Sequence, residues 1–111
     1  MIEHIENALH AAQEAALAEN ASLPPENERG LDCGFAWVVC KPANSKLGKA
    51  LKAYGASKHH TGGVCLWSPA KANTQSISVH EAGANAFVAY LKSVLQEGID
   101  YKLLYAASRL D

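Results

Sequence analysis

The feature that most constrains this chain is an apolar run at positions 32–40, DCGFAWVVC, which begins with an acid and is followed by Lys41 and Pro42. In a β-strand, successive side chains point to opposite faces, so the odd-numbered and even-numbered positions of this run form two separate sets. Neither set is polar, which is typical of a strand covered on both faces. We therefore predict a strand here, in the middle of a sheet.

Composition places the chain among globular proteins with a single core. Its 111 residues suit one domain, 49% of them are hydrophobic, and the formal net charge is −1. No window approaches the run of about 18–20 apolar residues that a membrane span requires, and the start of the chain lacks the order of a signal peptide. The three cysteines show no paired spacing, which indicates a reducing compartment. We expect a cytoplasmic protein without a membrane partner.

The N-terminal part is predicted to be an amphipathic helix at residues 1–21, followed by a linker at 22–30. The linker contains two prolines and a glycine, which break regular structure. The helix has a narrow apolar stripe that can bury little area by itself, so we expect it to dock on the domain or on a partner chain. The stripe consists of Ile2, Ile5, Leu9, Ala12 and Ala16.

The remaining residues, 31–111, are predicted to form one α+β domain. After the strand at 32–40, Asn44 or Ser45 can cap a helix that Gly55 ends. The further elements predicted from periodicity and turn residues are a polar loop at 57–63, a strand at 64–67, a strand with alternating polarity at 75–80, a helix at 81–97 ended by Gly98, and a strand at 99–107.

The resulting order β-α-β-β-α-β is that of the split βαβ, or ferredoxin-like, fold, with an extra N-terminal helix. It implies a four-stranded antiparallel sheet in the spatial order 4-1-3-2, with strand 1 in the interior and two helices on one face. The other face would carry Phe or Trp from strand 1, and a monomer rarely exposes such a surface. We expect the N-terminal helix or a second subunit to cover it, and we predict a homo-oligomer.

This topology predicts a ligand site at the end of the sheet where strand 1 begins. A glycine pair allows close backbone approach, Arg109 can grip a carboxylate or phosphate with two hydrogen bonds, and histidines titrate near neutral pH. An ion pair between Asp32 and Arg109 that anchors the C-terminus explains the same residues, and both interpretations stay open. The predicted ligand-binding residues are Asp32, Lys58, His60, Gly62, Gly63, His80, Ser108 and Arg109.

Other site chemistries receive less support from the residues. Adjacent histidines at 59 and 60 point apart in an extended chain, and the cysteines lack zinc-ligand spacing, so no metal site is expected. Cys33 could be a nucleophile activated by a histidine, but no nucleophile motif surrounds it. Phosphate-binding loops are missing, and no cofactor is expected. We do not expect nucleic-acid binding, because the predicted strand at 75–80 has no aromatic residue and no basic patch surrounds it.

Five segments of the domain form a distinctive set: the opening DCGFAWV at 32–38, the glycine pair at 62–63, Gln75-Ser76, the alanine-rich helix at 81–95 and the closing SRLD at 108–111. They resemble small proteins encoded by tailed bacteriophages and prophages. The resemblance covers about residues 31–111 and implies a phage origin, action in the bacterial cytoplasm and an accessory role directed at the host. It carries no activity over to this chain.

These observations lead to one principal hypothesis and two alternatives. The principal hypothesis is a non-enzymatic phage accessory protein that binds or sequesters a small anionic, nucleotide-like ligand and thereby counters host defence. The first alternative is a protein–protein inhibitor or assembly factor that meets a host protein through the exposed sheet face. The second is a thiol-dependent enzyme, so enzymatic activity remains an open question.

Overall fold

The computed structural model describes residues 1–25 and 33–110. It is an α+β fold with an N-terminal helix and a four-stranded antiparallel sheet, which confirms the fold class at this level. The strand order in the sheet is β2-β3-β1-β4. The elements are α1 (Ile2–Ser22), β1 (Gly34–Lys41), α2 (Lys46–Lys52), β2 (Ser57–Lys58), β3 (Val64–Trp67), α3 (Ile77–Val94) and β4 (Leu103–Leu110).

The predicted central strand is confirmed. β1 pairs with β3 on one side and with β4 on the other, both antiparallel. Its even-numbered side chains at positions 36, 38 and 40 are buried in the main core, together with Leu47 of α2 and Phe87 of α3. Its odd-numbered side chains lie on the opposite face, which is called the open face below.

The prediction of a strand at 75–80 is wrong. Residues 77–80 form the first turn of α3 instead, and Ser76 is the residue that precedes the helix. Alternating polarity over six residues favours a strand when the segment is considered alone. Val79 is buried together with Gly83 and Phe87, four and eight positions further on. The helix is favoured over the strand because this spacing places all three residues against the core.

The strand predicted at 64–67 exists, but it is the third strand and not the second. β2 consists of only two residues, Ser57–Lys58, inside the segment predicted as a loop. Both residues are exposed, so β2 has no apolar pattern from which it could have been recognised. It pairs with β3 through a turn that contains Gly62 and Gly63.

The N-terminal helix packs against α3. Its buried residues belong to the same core as the sheet: Ile5, Ala8, Ala12 and Ala16. The small side chains allow a close approach, because a Cβ added at Gly83 would lie 2.7 Å from the Cβ of Ala70 and 3.4 Å from the carbonyl oxygen of Ala12. The helix therefore docks on α3 and leaves the open face of the sheet uncovered.

Candidate functional site

The open face carries a cluster of three aromatic rings on the two central strands. Trp37 lies directly opposite Trp67 in the register of β1 and β3, and their ring centroids are 4.8 Å apart. Phe35 meets Trp67 edge to face at 6.1 Å and 79°. Phe35 is 41% exposed and Trp67 is 53% exposed, so the rings present an accessible surface. We call these three residues the aromatic cluster.

The charges on this face are all positive. Arg109 is the register partner of Phe35, and Lys41 pairs with Leu103 at the other end of β1. The Nζ atom of Lys41 donates a hydrogen bond to the backbone oxygen of Thr61 at 3.1 Å. Within the four described strands, no position of the open face holds Asp or Glu. A face of this kind favours a ligand that combines a flat ring with negative charge.

The remaining positions of the open face follow from the register. Cross-strand partners share a face, which adds Ser57 of β2, Cys65 of β3 and Tyr105 with Ala107 of β4. Val39, between Cys65 and Tyr105, is fully buried. The aromatic cluster is therefore continued along β1 by a buried apolar residue on the same face.

The predicted site residues divide between the two ends of the sheet. Lys58, His60, Gly62 and Gly63 lie at the end where β1 finishes, because a Cβ added at Gly63 would contact the carbonyl group of Cys40. Ser108 and Arg109 lie beside the start of β1. The two ends are about 20 Å apart, since six strand residues separate them.

The division has a simple cause. The sequence prediction makes 64–67 the second strand and places the turn before it beside the start of β1. The segment is instead the third strand and runs antiparallel to β1, so the turn before it lies beside the end of β1. The proposed pairing of Asp32 with Arg109 lies outside the described residues.

The end where β1 starts also holds a group of polar contacts. The Oγ atom of Ser108 donates to Oε2 of Glu81 at 2.6 Å, which ties β4 to the first turns of α3. Nε2 of His80 lies 2.7 Å from the backbone oxygen of Thr74, and its Nδ1 lies 3.4 Å from Oγ of Ser68. His80 is thus engaged with the loop before α3.

The described side-chain contacts of the three thiols are with Gln75, Ser45 and Ser57. Cys33 is half-buried, and its Sγ donates to the amide oxygen of Gln75 at 3.5 Å, a group that is not a base. Burial raises the pKa of the Cys40 thiol, against a smaller lowering by its hydrogen bond with Ser45. Cys65 is buried and contacts Oγ of Ser57 at 3.9 Å. A thiolate nucleophile needs a nearby base or positive charge, and these contacts supply neither.

Outside the open face, the part of the chain that the structure describes has an open cleft but no group of metal ligands. In residues 1–25 and 33–110, no three His, Cys, Asp or Glu side chains are grouped so that they could hold a metal ion. An open cleft of about 520 Å³ lies between α1 and the loop at 70–74, with Gln13, Lys71 and Asn73 among its lining residues. None of the described helices has the length and apolar character to cross a membrane.

The residue that sequence reasoning missed is Trp67. The sequence predicts a neighbour of β1 without an aromatic residue, which disfavours RNA recognition, whereas the neighbour β3 carries Trp67. A signal was available: the glycine pair at 62–63 after a short polar segment is typical of a hairpin turn, which would have made 64–67 the third strand. The net charge of −1 still disfavours RNA recognition.

Comparisons with known proteins add no relative. No protein-family model, no curated protein and no solved structure matches this chain. The function is therefore argued from the geometry of the open face.

Proposed function

We propose that this protein is a small phage accessory protein without enzymatic activity, which captures a small anionic, nucleotide-like ligand on the open face of its sheet. In this proposal it acts in the bacterial cytoplasm and withholds a signalling nucleotide from the host. The same proposal assigns the β-α-β-β-α-β part of the chain to the ferredoxin-like arrangement, with a second strand shortened to two residues.

The observation that carries the proposal is the exposed aromatic cluster bordered by Arg109. Bases stack on exposed aromatic rings, and each stacked base contributes about 1–3 kcal/mol. The guanidinium of Arg109 can take a phosphate with two parallel hydrogen bonds. Within residues 1–25 and 33–110, no carboxylate forms an ion pair with Arg109, and an anion on this face meets no acidic side chain of the four strands.

The ligand class is small rather than polymeric. Lys41 is about 20 Å from Arg109 along β1, and these two are the cations of the described strands on this face. A polymer that tracks along a protein requires a stripe of positive charge to neutralise successive phosphates. One arginine beside three rings matches a single base with its phosphate.

The test uses the intrinsic fluorescence of the protein, because both tryptophans of the chain belong to the aromatic cluster. The probes are a panel of mononucleotides and cyclic dinucleotides. The free nucleoside and inorganic phosphate are titrated separately, because they represent the two parts of a nucleotide. We expect saturable quenching by at least one nucleotide, weaker binding of its nucleoside and no response to phosphate. Native mass spectrometry of gently purified protein adds a search for a co-purifying nucleotide.

Variants assign the response to the site. Arg109→Ala should raise the dissociation constant roughly tenfold or more, since a hydrogen bond to a charged group contributes about 1.5–3 kcal/mol. Lys71→Ala removes a cation from the cleft beside α1 and should leave binding unchanged. Equal affinity of the wild type and Arg109→Ala for every bound nucleotide would remove the support for this site.

The second candidate function is recognition of a host protein through the same face. The observation that favours it is Leu103, which is 46% exposed and extends the apolar surface beyond the aromatic cluster. Protein–protein interfaces depend on aromatic side chains that become buried on binding. Trp67→Ala should therefore abolish capture of a defined partner, while Arg109→Ala should preserve it. The nucleotide proposal requires both variants to lose their ligand.

A further inference from the structure

The two edges of the sheet are built differently. The β2 edge has two residues, one of which is Lys58. The β4 edge has eight residues, Leu103–Leu110, with no proline and with Arg109 as its one charged residue. Proteins normally protect a long edge strand with lysine, proline, a bulge or a covering element. β4 contains neither lysine nor proline, and among the described strands it is paired only with β1.

The hydrogen bonds between β1 and β3 show which backbone groups of β4 point away from β1. The N–H of Ser68 donates to the carbonyl of Ala36 at 3.0 Å, so the even-numbered residues of β1 bond toward β3. Alternate residues of a strand bond to opposite sides, and the odd-numbered residues of β1 therefore bond toward β4. Their partners are the odd-numbered residues of β4. The N–H and C=O groups of residues 104, 106, 108 and 110 consequently point to the outer edge.

We propose that this edge is an interface between two copies of the chain, whose β4 strands pair antiparallel about a two-fold axis through Ala107. A two-fold axis perpendicular to the sheet keeps the open faces of both copies on the same side. One residue of β4 then lies directly opposite the same residue of the second copy, and the axis passes midway between the two. Centring the axis on Ala107 pairs 104 with 110 and 106 with 108 of the second copy. This uses all four outward-pointing residues and forms about eight hydrogen bonds, whereas centring it on Ala106 forms about six.

The side chains agree with this register. Arg109 of each copy lies opposite Tyr105 of the other on the open face, where a guanidinium can pack over an aromatic ring and does not face its own charge. On the other face, the exposed Leu110 lies opposite Leu104 of the second copy. The pairing makes one continuous sheet of two copies with two aromatic clusters on the same side. It rests on the β4 edge alone and does not depend on the nucleotide proposal.

The register is tested by oxidative cross-linking. In Ala107→Cys, the two introduced thiols face each other across a pair without backbone hydrogen bonds, where the Cα atoms are about 4.5 Å apart and a disulfide can form. In the matched control Ala106→Cys, the two positions are offset by two residues and lie beyond the reach of about 7 Å. A copper–phenanthroline catalyst with dissolved oxygen accepts the two electrons and two protons that the paired thiols release.

We expect a covalent dimer on a non-reducing gel for Ala107→Cys, and none for Ala106→Cys or for the wild type with its three native cysteines. Cross-linking of Ala106→Cys but not of Ala107→Cys overturns the proposed register. Cross-linking of neither variant overturns the interface.

A second measurement uses the association of the protein without cross-links. Ala106→Pro removes an outward-pointing N–H, which an edge strand tolerates. Light scattering should show a dimer for the wild type and a monomer for this variant, with circular dichroism as the check of folding. A wild type that stays monomeric at every concentration tested contradicts the proposal. So does a dimer that Trp67→Ala dissociates and Ala106→Pro does not.

Discussion

The turn between β2 and β3 depends on a single residue, Gly63. Its φ is 78°, and a Cβ at this position would run into the backbone of Cys40 and the side chain of Lys41. Gly62 next to it also has a positive φ, 102°, but a Cβ there would meet open space. Substitutions at the two glycines therefore distinguish the free-energy cost of a left-handed backbone from the additional cost of a steric clash.

Gly62→Ala should lower the free energy of unfolding by about 1–2 kcal/mol, which is the cost of a left-handed backbone for a residue with a Cβ. Gly63→Ala should lower it by about 1–3 kcal/mol more, because overpacking against neighbouring atoms is added. Urea unfolding followed by circular dichroism measures both. Equal effects of the two substitutions would show that β1 does not approach Gly63 as described.

His59 in the same turn is 8% exposed. Its Nδ1 lies 2.7 Å from the hydroxyl of Thr61, and its ring lies 4.4 Å from that of His60. Burial lowers the pKa of His59, and the nearby charges of His60 and Lys41 lower it further. The folded state thus favours the neutral imidazole.

Protonation of His59 should destabilise the protein in acid. The unfolded chain has the ordinary histidine pKa of about 6.5, so below that pH it binds the proton more readily than the folded chain does. The contribution of neutral His59 to the free energy of unfolding is therefore fully present above a pH of about 6.5, the ordinary pKa. It is lost as the pH falls through this value toward the pKa of the folded state. His59→Gln should lose less free energy of unfolding between roughly pH 7.5 and 5.5 than the wild type. The same loss in both proteins would contradict the assignment.

At the level of elements, α1 and α3 are joined through small residues. Ala8, Ala12 and Ala16 of α1 are buried, and Gly83 of α3 lies against Ala12 and Ala16. The narrow stripe of α1 is thus compensated by a close approach of the two helix backbones, which increases the number of atomic contacts for each small side chain. A larger side chain in this stripe has no space.

Ala12→Leu should lower the free energy of unfolding by about 1–3 kcal/mol, the usual cost of forcing a larger side chain into a filled core. Ala18→Leu is the matched control in the same helix, because Ala18 is exposed, and it should change stability by less than about 0.5 kcal/mol. Thermal and urea unfolding of both variants test the difference. A tolerated Ala12→Leu would place α1 further from α3 than described.

In the whole molecule, one core joins α1 to the sheet, since Ile5 and Ala8 belong to the same buried cluster as Val38 and Leu104. The tryptophans lie on the other face of the sheet. Fluorescence therefore reports on the sheet, while far-ultraviolet circular dichroism reports mostly on the helices.

We expect the two signals to change together during urea unfolding, because a single core unfolds as one cooperative unit. Equal midpoints and equal slopes are the result that follows from the shared core. A loss of helical signal at lower urea than the loss of fluorescence would show that α1 unfolds independently of the sheet.

Part of the fold and of the candidate site could be derived from local patterns. β1 was evident from an apolar run on both faces, and Ser45 was one of two predicted caps and accepts a hydrogen bond from the N–H of Gly48 at 3.0 Å. Arg109 was a predicted binding residue and lies beside Phe35. Trp67 was not predicted, because its position in the site depends on which strand it occupies.

Local patterns are sufficient for features that depend on nearest neighbours: the central strand, the glycines that end α2 and follow α3, and the apolar stripe of α1 apart from Ile2, which is 58% exposed. Periodicity and turn chemistry act within a few residues, and they suffice for such features. Long-range packing establishes that residues 77–80 are helical, that Ser57–Lys58 is a strand and that α1 covers α3 and leaves the aromatic cluster exposed. These outcomes depend on contacts between residues far apart in the chain, whose energies no local pattern contains.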